Sequence, residues 1–351
     1  MSDAYKPVDL HSKFGFGTMS MTWTPTPPPT EQSVESLKFV TSHDEFGTKV
    51  LNGGIFYGAD NVNLKLLQAF VESNTPEQNR ELVISIKGGL NLVTHKIDGS
   101  KESIDGDIET FTSFFPKDKN SRPKLIFEMA RVDKSTPYDE TIGYIADHVK
   151  NGAIDGISLS EVGIESIRKA VSVFPISCVE LELSLFSQDI IENGILEELS
   201  KHGIPVIAYS PLYKGLLTDY AVEHADTYLQ SIPKGDMRLN FDRFQPETFD
   251  HNMKYLKALY KYAHDVKKTS LESLSLSWIL AVSERKEFKG IKNVSKILPI
   301  PSGSTKDKIT RNFSNIIELS DDDLQAIDNI YKENPIKGFR YNAQAEDTLL
   351  V

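Results

Sequence analysis

Short runs rich in β-branched residues alternate with longer segments of helical periodicity from one end of the chain to the other. Strands are predicted at residues 16–21, 48–53, 82–87, 125–130, 154–160, 178–183, 205–209 and 297–301. Helices are predicted at residues 30–45, 61–73, 103–115, 137–151, 163–173, 190–202, 252–268, 271–282 and 307–316. Eight strands separated by helices are typical of an α/β protein whose parallel strands close into a (β/α)₈ TIM barrel.

An open, doubly wound parallel sheet is the alternative for such a pattern. It is the weaker prediction, because no Gly-x-Gly-x-x-Gly sequence follows a strand and opens a helix. The 351 residues contain no internal repeat and no linker-like boundary, and barrels of this length often form one unit. We therefore predict a single domain over residues 1–351. Residues 215–249 have the weakest pattern, which predicts a long loop over the C-terminal face of the barrel.

The composition argues against several classes of protein. A net charge of −11 disfavours a nucleic-acid-binding or anionic-membrane surface, since either needs a basic face. No apolar run is long enough to span a membrane, and the polar residues 1–13 do not resemble a signal peptide. The single cysteine, Cys178, lies in an apolar strand pattern, which indicates a buried thiol and a reducing compartment. We expect a cytoplasmic protein that acts on a small molecule.

The sixth predicted strand has opposite chemistry on its two faces. Glu180 and Glu182 alternate with apolar residues, so both carboxylates point the same way. In a closed barrel they would point inward near the mouth, where buried carboxylates need partners or ligands. The alternative is an exposed edge strand with one polar face.

Eight short segments, most of them at predicted strand ends, together resemble the aldo-keto reductase family over nearly the full chain. In chain order they are FGFGTM at 14–19, YG at 57–58, IKGG at 86–89, ARVD at 130–133, ISLSEV at 157–162, ELSLF at 182–186, AYSPLYKGLL at 208–217 and PIPSGS at 299–304. Within the family, residues 52–58 and 127–133 resemble the pyridoxal reductases of fungi most. The resemblance implies a TIM barrel that uses NADPH to reduce an aldehyde, with pyridoxal as the expected substrate and pyridoxine as the product.

Two strand-end residues carry the chemistry of that reaction. Hydride addition to a carbonyl creates an alkoxide, which must gain a proton as it forms. A phenol with an ordinary pKa of about 10 donates poorly at neutral pH unless a nearby cation eases its ionisation. The resemblance implies that Tyr57 is the general acid and Lys87 the tuning cation. Without such a site, Tyr57 would be a strand-end aromatic and Lys87 a solvated charge.

Two positions depart from the family pattern. Asn52 stands where most members carry an aspartate, and Ala130 stands where they carry a histidine. Asn52 can accept a hydrogen bond from Lys87 but cannot neutralise its charge. We hypothesise that Glu128, which shares the interior face with position 130, supplies the missing counter-ion. The alternative is that Glu128 binds other interior polar groups. These departures themselves resemble the pyridoxal reductase group.

The resemblance also implies positions for the cofactor. Ser160 and Glu180 match the residues that hold the nicotinamide carboxamide, and Tyr209 matches the aromatic ring that stacks on the nicotinamide. Glu180 stands where the family has glutamine, so it can accept a hydrogen bond from the carboxamide but cannot donate one. The loop around the pyrophosphate matches Ser210, Leu212, Lys214, Gly215 and Leu217.

A basic cluster follows the last predicted strand. It is formed by Lys306, Lys308 and Arg311, next to Ser302 and Ser304. In a strongly acidic chain, cations beside a helix N-terminus predict an anion site, which favours the 2′-phosphate of NADPH over NADH. By resemblance, Lys308 is the phosphate contact and Asn312 the adenine contact. The alternative is a basic helix face exposed to solvent.

Substrate contacts are expected from Trp23, Met129, Arg131 and residues 215–249. The indole of Trp23 can stack on a flat pyridine ring, or it can belong to the core at the end of the first strand. The acidic interior predicts a preference for pyridoxal over its phosphate ester.

A second class of function is open at this stage. With two family residues replaced, the chain could instead be a regulatory or sensor subunit that binds NADPH without turning it over. A barrel lyase or isomerase is a third possibility, but no metal-binding motif is present.

Overall fold

The computed structural model describes residues 5–91, 94 and 96–351. Residues 1–4, 92, 93 and 95 of the predicted domain, the first four of which belong to the polar N-terminal segment, lie outside the described residues. Its main sheet has eight parallel strands that pair in chain order: β1 Phe14–Gly17, β2 Thr48–Gly54, β3 Val83–Gly88, β4 Lys124–Met129, β5 Gly156–Ser160, β6 Cys178–Glu182, β7 Val206–Tyr209 and β8 Ile297–Pro299. The last strand returns to the first, where Gly17 N donates to the carbonyl oxygen of Pro301 at 3.3 Å. The predicted (β/α)₈ barrel is confirmed, and the open doubly wound sheet is excluded.

The close approach of β1 to its two neighbouring strands, where the barrel closes, explains why residue 15 is glycine. A Cβ built on Gly15 would lie 2.6 Å from the Cγ2 atom of Ile300 and 3.1 Å from the carbonyl oxygen of Val50. Any side chain at position 15 would therefore push β1 away from its neighbours.

The helices surround this sheet and bury their apolar faces against it. The α-helices are Met19–Thr22, Thr30–Ser42, Val62–Glu72, Pro76–Arg80, Lys101–Ser113, Tyr138–Lys150, Ile164–Val173, Asp189–Glu192, Ile195–His202, Asp219–Glu223, Ala225–Ser231, Pro246–Lys261, Leu271–Ser283, Lys306–Phe313, Asp321–Glu333 and Ala343–Glu346. A π-helical turn, Tyr262–Lys267, extends the helix Pro246–Lys261, which begins six residues before the predicted helix at 252–268. Two small hairpins pair Leu90–Asn91 with Lys96–Ile97, and Glu287–Phe288 with Ile291–Lys292.

The barrel interior is apolar at one end and polar at the other. Its apolar floor is a separate buried cluster formed by Leu10, Val50, Val83, Ile126, Cys178, Ile207, Leu298 and Ile300. Because side chains on one strand face alternate with a period of two, the next inward positions toward the C-terminal ends lie directly above this floor. On β2, β4 and β6 these positions are Asn52, Glu128 and Glu180. The alternation predicted for the sixth strand therefore places carboxylates inside the barrel, and both Glu180 and Glu182 are buried.

Two expectations about local structure are wrong. The first strand was predicted at 16–21, but β1 ends at Gly17 and Met19–Thr22 is a helical turn that begins after Thr18. Residues 215–249 were expected to form one long loop. They contain the helices Asp219–Glu223 and Ala225–Ser231 and the 3₁₀ turns Met237–Asn240 and Asp242–Phe244. Thr218 caps the first helix by accepting from Ala221 N, a local hydrogen bond that irregular chain would lack.

Among the described residues, no helix combines the length and the apolar character needed to cross a membrane. Nor do these residues contain a group of three or more histidine, cysteine, aspartate and glutamate side chains arranged to hold a metal ion.

Candidate active site

The candidate site is built around the ammonium group of Lys87 at the C-terminal end of β3. The parallel pairing of β3 with β4 sets Lys87 beside Glu128 in register. Lys87 Nζ lies 3.1 Å from Glu128 Oε1 and also contacts Glu180 Oε2 of β6. It donates to Asn52 Oδ1 at 3.4 Å. The hypothesised contact between Glu128 and Lys87 is present, and Asn52 accepts from Lys87 as expected.

The two carboxyl groups at Lys87 have further donors. Asn52 Nδ2 donates to Glu180 Oε2, and Ser85 Oγ donates to Glu128 Oε2 at 3.2 Å. The side chains of Lys87, Glu128 and Glu180 are exposed by only 6%, 0% and 3%. Burial of this degree makes each unpaired charge expensive, so partner geometry decides the protonation states.

Tyr57 lies in the turn after β2, with its ring packed against Gly54. A Cβ at Gly54 would lie 2.9 Å from the Tyr57 ring, so only glycine leaves room for it. Thr22 Oγ1 donates to the carbonyl oxygen of Tyr57 at 2.7 Å and fixes the turn. Lys87 Nζ lies 5.9 Å from the centre of the Tyr57 ring.

Burial raises the pKa of Tyr57 to about 12; Lys87 lowers it, by charge and by hydrogen bonding, while Glu180 and Glu128 raise it. The expected influence of Lys87 is therefore present, but burial and the two carboxyl groups outweigh it. Tyr57 is thus protonated at neutral pH, which is the state that a proton donor requires. How strongly Lys87 acts on it depends on the charge carried by the carboxyl groups.

The carboxyl group of Glu180 has a strongly altered protonation equilibrium. Burial and the charge of Glu128 raise the pKa of Glu180 to about 8, although Lys87 opposes this shift. Burial alone would lower the pKa of Lys87, but Glu128 and Glu180 together raise it well above its ordinary value. Lys87 is therefore protonated at neutral pH in the resting site. Glu180 was expected at the nicotinamide carboxamide, but its carboxyl group is part of the Lys87 cluster.

Aromatic rings form the outer side of the site. The indole of Trp23 stacks on Tyr57 and meets Phe56 edge to face, with a centroid distance of 6.0 Å to Phe56. Trp23 is 39% exposed and follows the short helix after β1, so it is not a core residue. Arg131 Nη1 donates to the carbonyl oxygen of Ala130. Burial lowers the pKa of the Arg131 guanidinium, but Tyr209 and Glu161 outweigh this effect, so the pKa lies above its ordinary value.

Met129 does not reach the site, contrary to expectation. It follows Glu128, so the alternation of the strand turns it to the opposite face, toward the surrounding helices. Its side chain is fully buried in the outer hydrophobic core and packs against Gly89, which leaves no room for a Cβ. Met129 is therefore a packing residue and not a substrate contact.

Ser160 and Tyr209 lie at the ends of β5 and β7. Ser160 Oγ is buried, and no described residue offers it a hydrogen-bond partner. A buried hydroxyl without a partner is costly, and a ligand amide would satisfy it. Tyr209 is half-buried, and its hydroxyl lies 3.0 Å from the hydroxyl of Tyr341. These two residues fit the nicotinamide end of a cofactor.

The loop after β7 has a constrained backbone. Ser210, Tyr213 and Lys214 all have positive φ angles, of 50°, 42° and 54°, and Gly215 follows at 100°. Such conformations in non-glycine residues persist where surrounding contacts impose them and are common at ligand sites. Ser210 and Leu212 are half-buried, whereas Leu217 is fully buried and can offer only its backbone.

The ammonium of Lys214 is used inside the protein. Lys214 Nζ lies 3.0 Å from Glu182 Oε2, and 4.5 Å and 4.8 Å from the ring centres of Tyr213 and Tyr341. Burial raises the pKa of Glu182, but the charges of Lys214 and Arg340 lower it further, so the pKa lies below its ordinary value. This pairing was not expected, because the sequence resemblance assigns Lys214 to the pyrophosphate.

The helix Lys306–Phe313 presents its N-terminus beside the loop 302–304. Lys306, Lys308 and Arg311 are exposed, and Arg311 Nε lies 3.9 Å from Glu272 Oε1. Asn312 Nδ2 donates to the carbonyl oxygen of Ser302 at 2.8 Å. The loop is also held from outside by a hydrogen bond between the hydroxyl groups of Ser20 and Ser302, and by one that Gln32 Nε2 donates to the carbonyl oxygen of Ser304. This ordered turn with exposed cations fits an anionic group.

One buried ion pair near the site, between Glu161 and Arg340, was not predicted from the sequence. Glu161 directly follows β5, with a positive φ of 51°, and Arg340 donates to both of its carboxylate oxygens at 2.7 Å and 3.3 Å. Glu161 Oε1 also accepts from Glu182 N at 3.2 Å. The pair connects the C-terminal segment, including Tyr341, to the strand ends. The polar pattern around Arg340 contains no signal for this role, although a glutamate at a buried strand end suggests that it needs a cation.

The arrangement places a protonated phenol beside a buried cation, and next to a stacking indole. It can donate a proton to an oxygen that develops negative charge, and it can stabilise the resulting phenolate.

Similarity to known proteins extends over most of the chain. Residues 13–332 match the Aldo/keto reductase family. The chain is 33% identical over 341 residues to "Probable pyridoxal reductase 2" of Schizosaccharomyces pombe, covering 96% of each chain. It is 35% identical over 349 residues to "Putative pyridoxal reductase" of Saccharomyces cerevisiae, covering 93% of this chain and 95% of the relative. Among solved structures, the glycerol dehydrogenase AKR11B4 from Gluconobacter oxydans superposes with a TM-score of 0.75 at 18% identity, over 95% of both chains.

Proposed function

The chain belongs to the aldo/keto reductase family, and from that premise we propose that it reduces the aldehyde group of pyridoxal to an alcohol with NADPH. The pyridoxal reductase names of the two fungal relatives support this substrate. The departures Asn52 and Ala130, which resemble that subgroup, support it as well.

In the proposed reaction, Tyr57 is the general acid. A reduced nicotinamide held by Ser160 and Tyr209 would supply the hydride that adds to the carbonyl carbon. As negative charge develops on the carbonyl oxygen, Tyr57 transfers its hydroxyl proton to that oxygen, and an O–H bond of the product forms while that of the phenol breaks. Lys87 stabilises the phenolate left behind, because its ammonium acts on the buried phenol of Tyr57. Asn52 and Glu128 hold Lys87 in place.

The cofactor would be held along the ends of β5, β7 and β8. Ser160 offers its unpaired hydroxyl to the carboxamide, and Tyr209 offers a ring for stacking. The pyrophosphate would lie along the loop formed by Ser210, Leu212, Lys214, Gly215 and Leu217. The backbone of this loop, rather than the paired ammonium of Lys214, is the part available for that contact.

The choice of NADPH over NADH rests on the helix Lys306–Phe313. Lys308 and Arg311 would bind the 2′-phosphate, with Lys306, Ser302 and Ser304 at the same end of the helix. Asn312 would contact the adenine while it holds the turn through Ser302.

Trp23 and Arg131 would contact the substrate. The exposed indole of Trp23, stacked over Tyr57, is placed to receive a flat pyridine ring. The ammonium of Lys87 is already paired with Glu128 and Glu180 and is not available to a phosphate group, which favours pyridoxal over its phosphate ester.

The observation that carries the proposal is the buried phenol of Tyr57 beside the buried ammonium of Lys87. The test is steady-state NADPH oxidation with pyridoxal, pyridoxal phosphate and a plain aromatic aldehyde, with Tyr57→Phe as the matched control. We expect sustained turnover that prefers pyridoxal and falls at least about a hundredfold in the variant. Tight NADPH binding without turnover of any aldehyde would overturn the proposal in favour of a sensor subunit.

A further inference from the structure

Lys87 is one cation in contact with two buried carboxyl groups. Glu128 and Glu180 both reach its ammonium, and neither forms an ion pair with a second cation among the residues that the structure describes. If both were ionised, the cluster would hold an uncompensated negative charge in a site that is almost completely buried. Two carboxylates so close together in a low-dielectric environment cannot both ionise at low cost, so one of them retains a proton.

The hydrogen-bond geometry distinguishes the two groups. Glu180 Oε2 accepts from Asn52 and contacts Lys87, so a proton on this carboxyl group has its place on Oε1. Glu128 Oε2 accepts from Ser85. Glu128 Oε1 lies 3.1 Å from Lys87 Nζ, yet no well-aligned hydrogen bond reaches this buried oxygen from any described residue. A carboxylate oxygen in this situation needs a donor, and a protonated neighbouring carboxyl group provides one.

We propose that Glu180 is held as a carboxylic acid that shares its proton with Glu128, and that this pair is the proton reserve from which Tyr57 is recharged through Lys87. This inference deepens the proposed reductase function and rests on it for the role of Tyr57. It assigns Glu180 to proton transfer, whereas the family resemblance assigns the position to cofactor binding.

After Tyr57 has given its proton to the product oxygen, it is a phenolate beside the Lys87 ammonium. An N–H bond of Lys87 breaks and the O–H bond of Tyr57 re-forms; the neutral amine then takes the proton shared by Glu128 and Glu180. The pair is left as two carboxylates and recovers one proton from water when the product leaves. One proton is consumed in each turnover, as carbonyl reduction requires.

The reserve also keeps Lys87 effective. With one proton on the carboxyl pair, the cluster of Lys87, Glu128 and Glu180 is neutral overall. The pair therefore raises the pKa of Tyr57 less than two carboxylates would. The titratable groups that act on Glu180 are Glu128 and Lys87, while Glu180 acts in turn on Tyr57 and on the buried thiol of Cys178. The nearby carboxylate of Glu161 is neutralised by Arg340.

The first test is infrared spectroscopy of the protein without cofactor, titrated from neutral to alkaline pH. We expect the C=O stretching band of a protonated carboxyl group at neutral pH, lost as the pH rises, and absent in Glu180→Gln. It should persist in Glu182→Gln, the matched control two residues along the same strand, because Lys214 keeps that carboxylate ionised. In Glu128→Gln, Glu180 is left alone with Lys87, so the band should vanish at neutral pH. This variant and the wild-type titration decide the matter even if Glu180→Gln fails to fold.

The second test separates the proton reserve from a structural role. Glutamine at position 180 keeps the neutral charge but cannot release a proton. We therefore expect the single-turnover rate of Glu180→Gln to stay within about twofold of wild type, while steady-state turnover falls roughly tenfold or more and is restored by small buffer acids.

The outcomes distinguish this inference from the proposed function. Absence of a titrating carboxyl band, or a band that survives in Glu180→Gln, would overturn the inference whether or not the protein reduces pyridoxal. Failure of wild type to oxidise NADPH with any aldehyde would overturn the proposed function, whatever the infrared spectra show.

Discussion

The indole ring of Trp23 lies over the phenol ring of Tyr57, with centroids 5.7 Å apart and an interplanar angle of 28°. Phe56 meets both rings edge to face and holds them in this relation. Trp23 is 39% exposed, whereas Tyr57 is 7% exposed. The proton donor is therefore reached along the face of an exposed indole, which makes Trp23 a candidate surface for binding a flat substrate.

We expect Trp23→Ala to raise KM for pyridoxal by roughly three- to tenfold, because an aromatic stacking contact contributes about 0.5–1.5 kcal/mol beyond its buried area. Trp23→Phe should retain part of the effect, and both variants should unfold at nearly the wild-type urea concentration because the side chain is partly exposed. Steady-state kinetics measure the change. A collapse of kcat at unchanged KM would instead mean that the indole only positions Tyr57.

The barrel and the Lys87–Glu128 contact follow from local patterns in the sequence. Alternation of strands and helices specifies the order of the parallel strands, and the period of two specifies which side chains point inward. Lys87 and Glu128 lie on neighbouring strands in direct register, so their contact could be anticipated. The same alternation shows that Met129 cannot share the inward face with Glu128.

Contacts across the barrel interior could not be predicted in the same way. Glu180 lies on β6, which is not adjacent to β3 in the sheet, yet its carboxyl group reaches Lys87. Periodicity specifies the face of a strand but not how far a side chain reaches across the lumen. The pair of Glu161 and Arg340 joins residues 179 positions apart, and it depends on where the C-terminal segment crosses the strand ends. Tertiary packing alone determines such a contact.

The exposed Lys308 gives a test of cofactor choice. We expect Lys308→Ala to weaken NADPH binding by roughly ten- to hundredfold and to leave NADH binding unchanged, since a charge-assisted hydrogen bond contributes about 1.5–3 kcal/mol. Fluorescence titration with both nucleotides measures the effect, and Lys234→Ala, another exposed lysine, is the matched control. Equal losses for the two nucleotides would show that Lys308 does not recognise the 2′-phosphate.

The pKa of Glu180 predicts how stability depends on pH. Burial, reinforced by Glu128, raises the pKa of Glu180 from its ordinary 4.5 to about 8, so between these values the folded protein binds a proton that the unfolded chain releases. This contribution therefore lowers the free energy of unfolding as the pH rises from 4.5 toward 8, by at most about 1.4 kcal/mol per pH unit. Glu180→Gln should remove that slope. Urea unfolding across this range measures it, and equal slopes in both proteins would contradict the shifted pKa.

Arg340 should be among the residues most important for stability near the strand ends. Its guanidinium is 3% exposed and binds both oxygens of Glu161, which is fully buried. Arg340→Ala leaves that carboxylate buried without its cation, and we expect a loss of about 3–5 kcal/mol in the free energy of unfolding.

The matched double variant Arg340→Met with Glu161→Gln removes both charges at similar volume, so it should recover much of this loss. Urea unfolding of the three proteins tests the argument. If Arg340→Ala were as stable as wild type, Glu161 would have to be reached by water or protonated in the folded protein. If the double variant were no more stable than Arg340→Ala, the guanidinium would act mainly by packing the C-terminal segment, including Tyr341, against Tyr209.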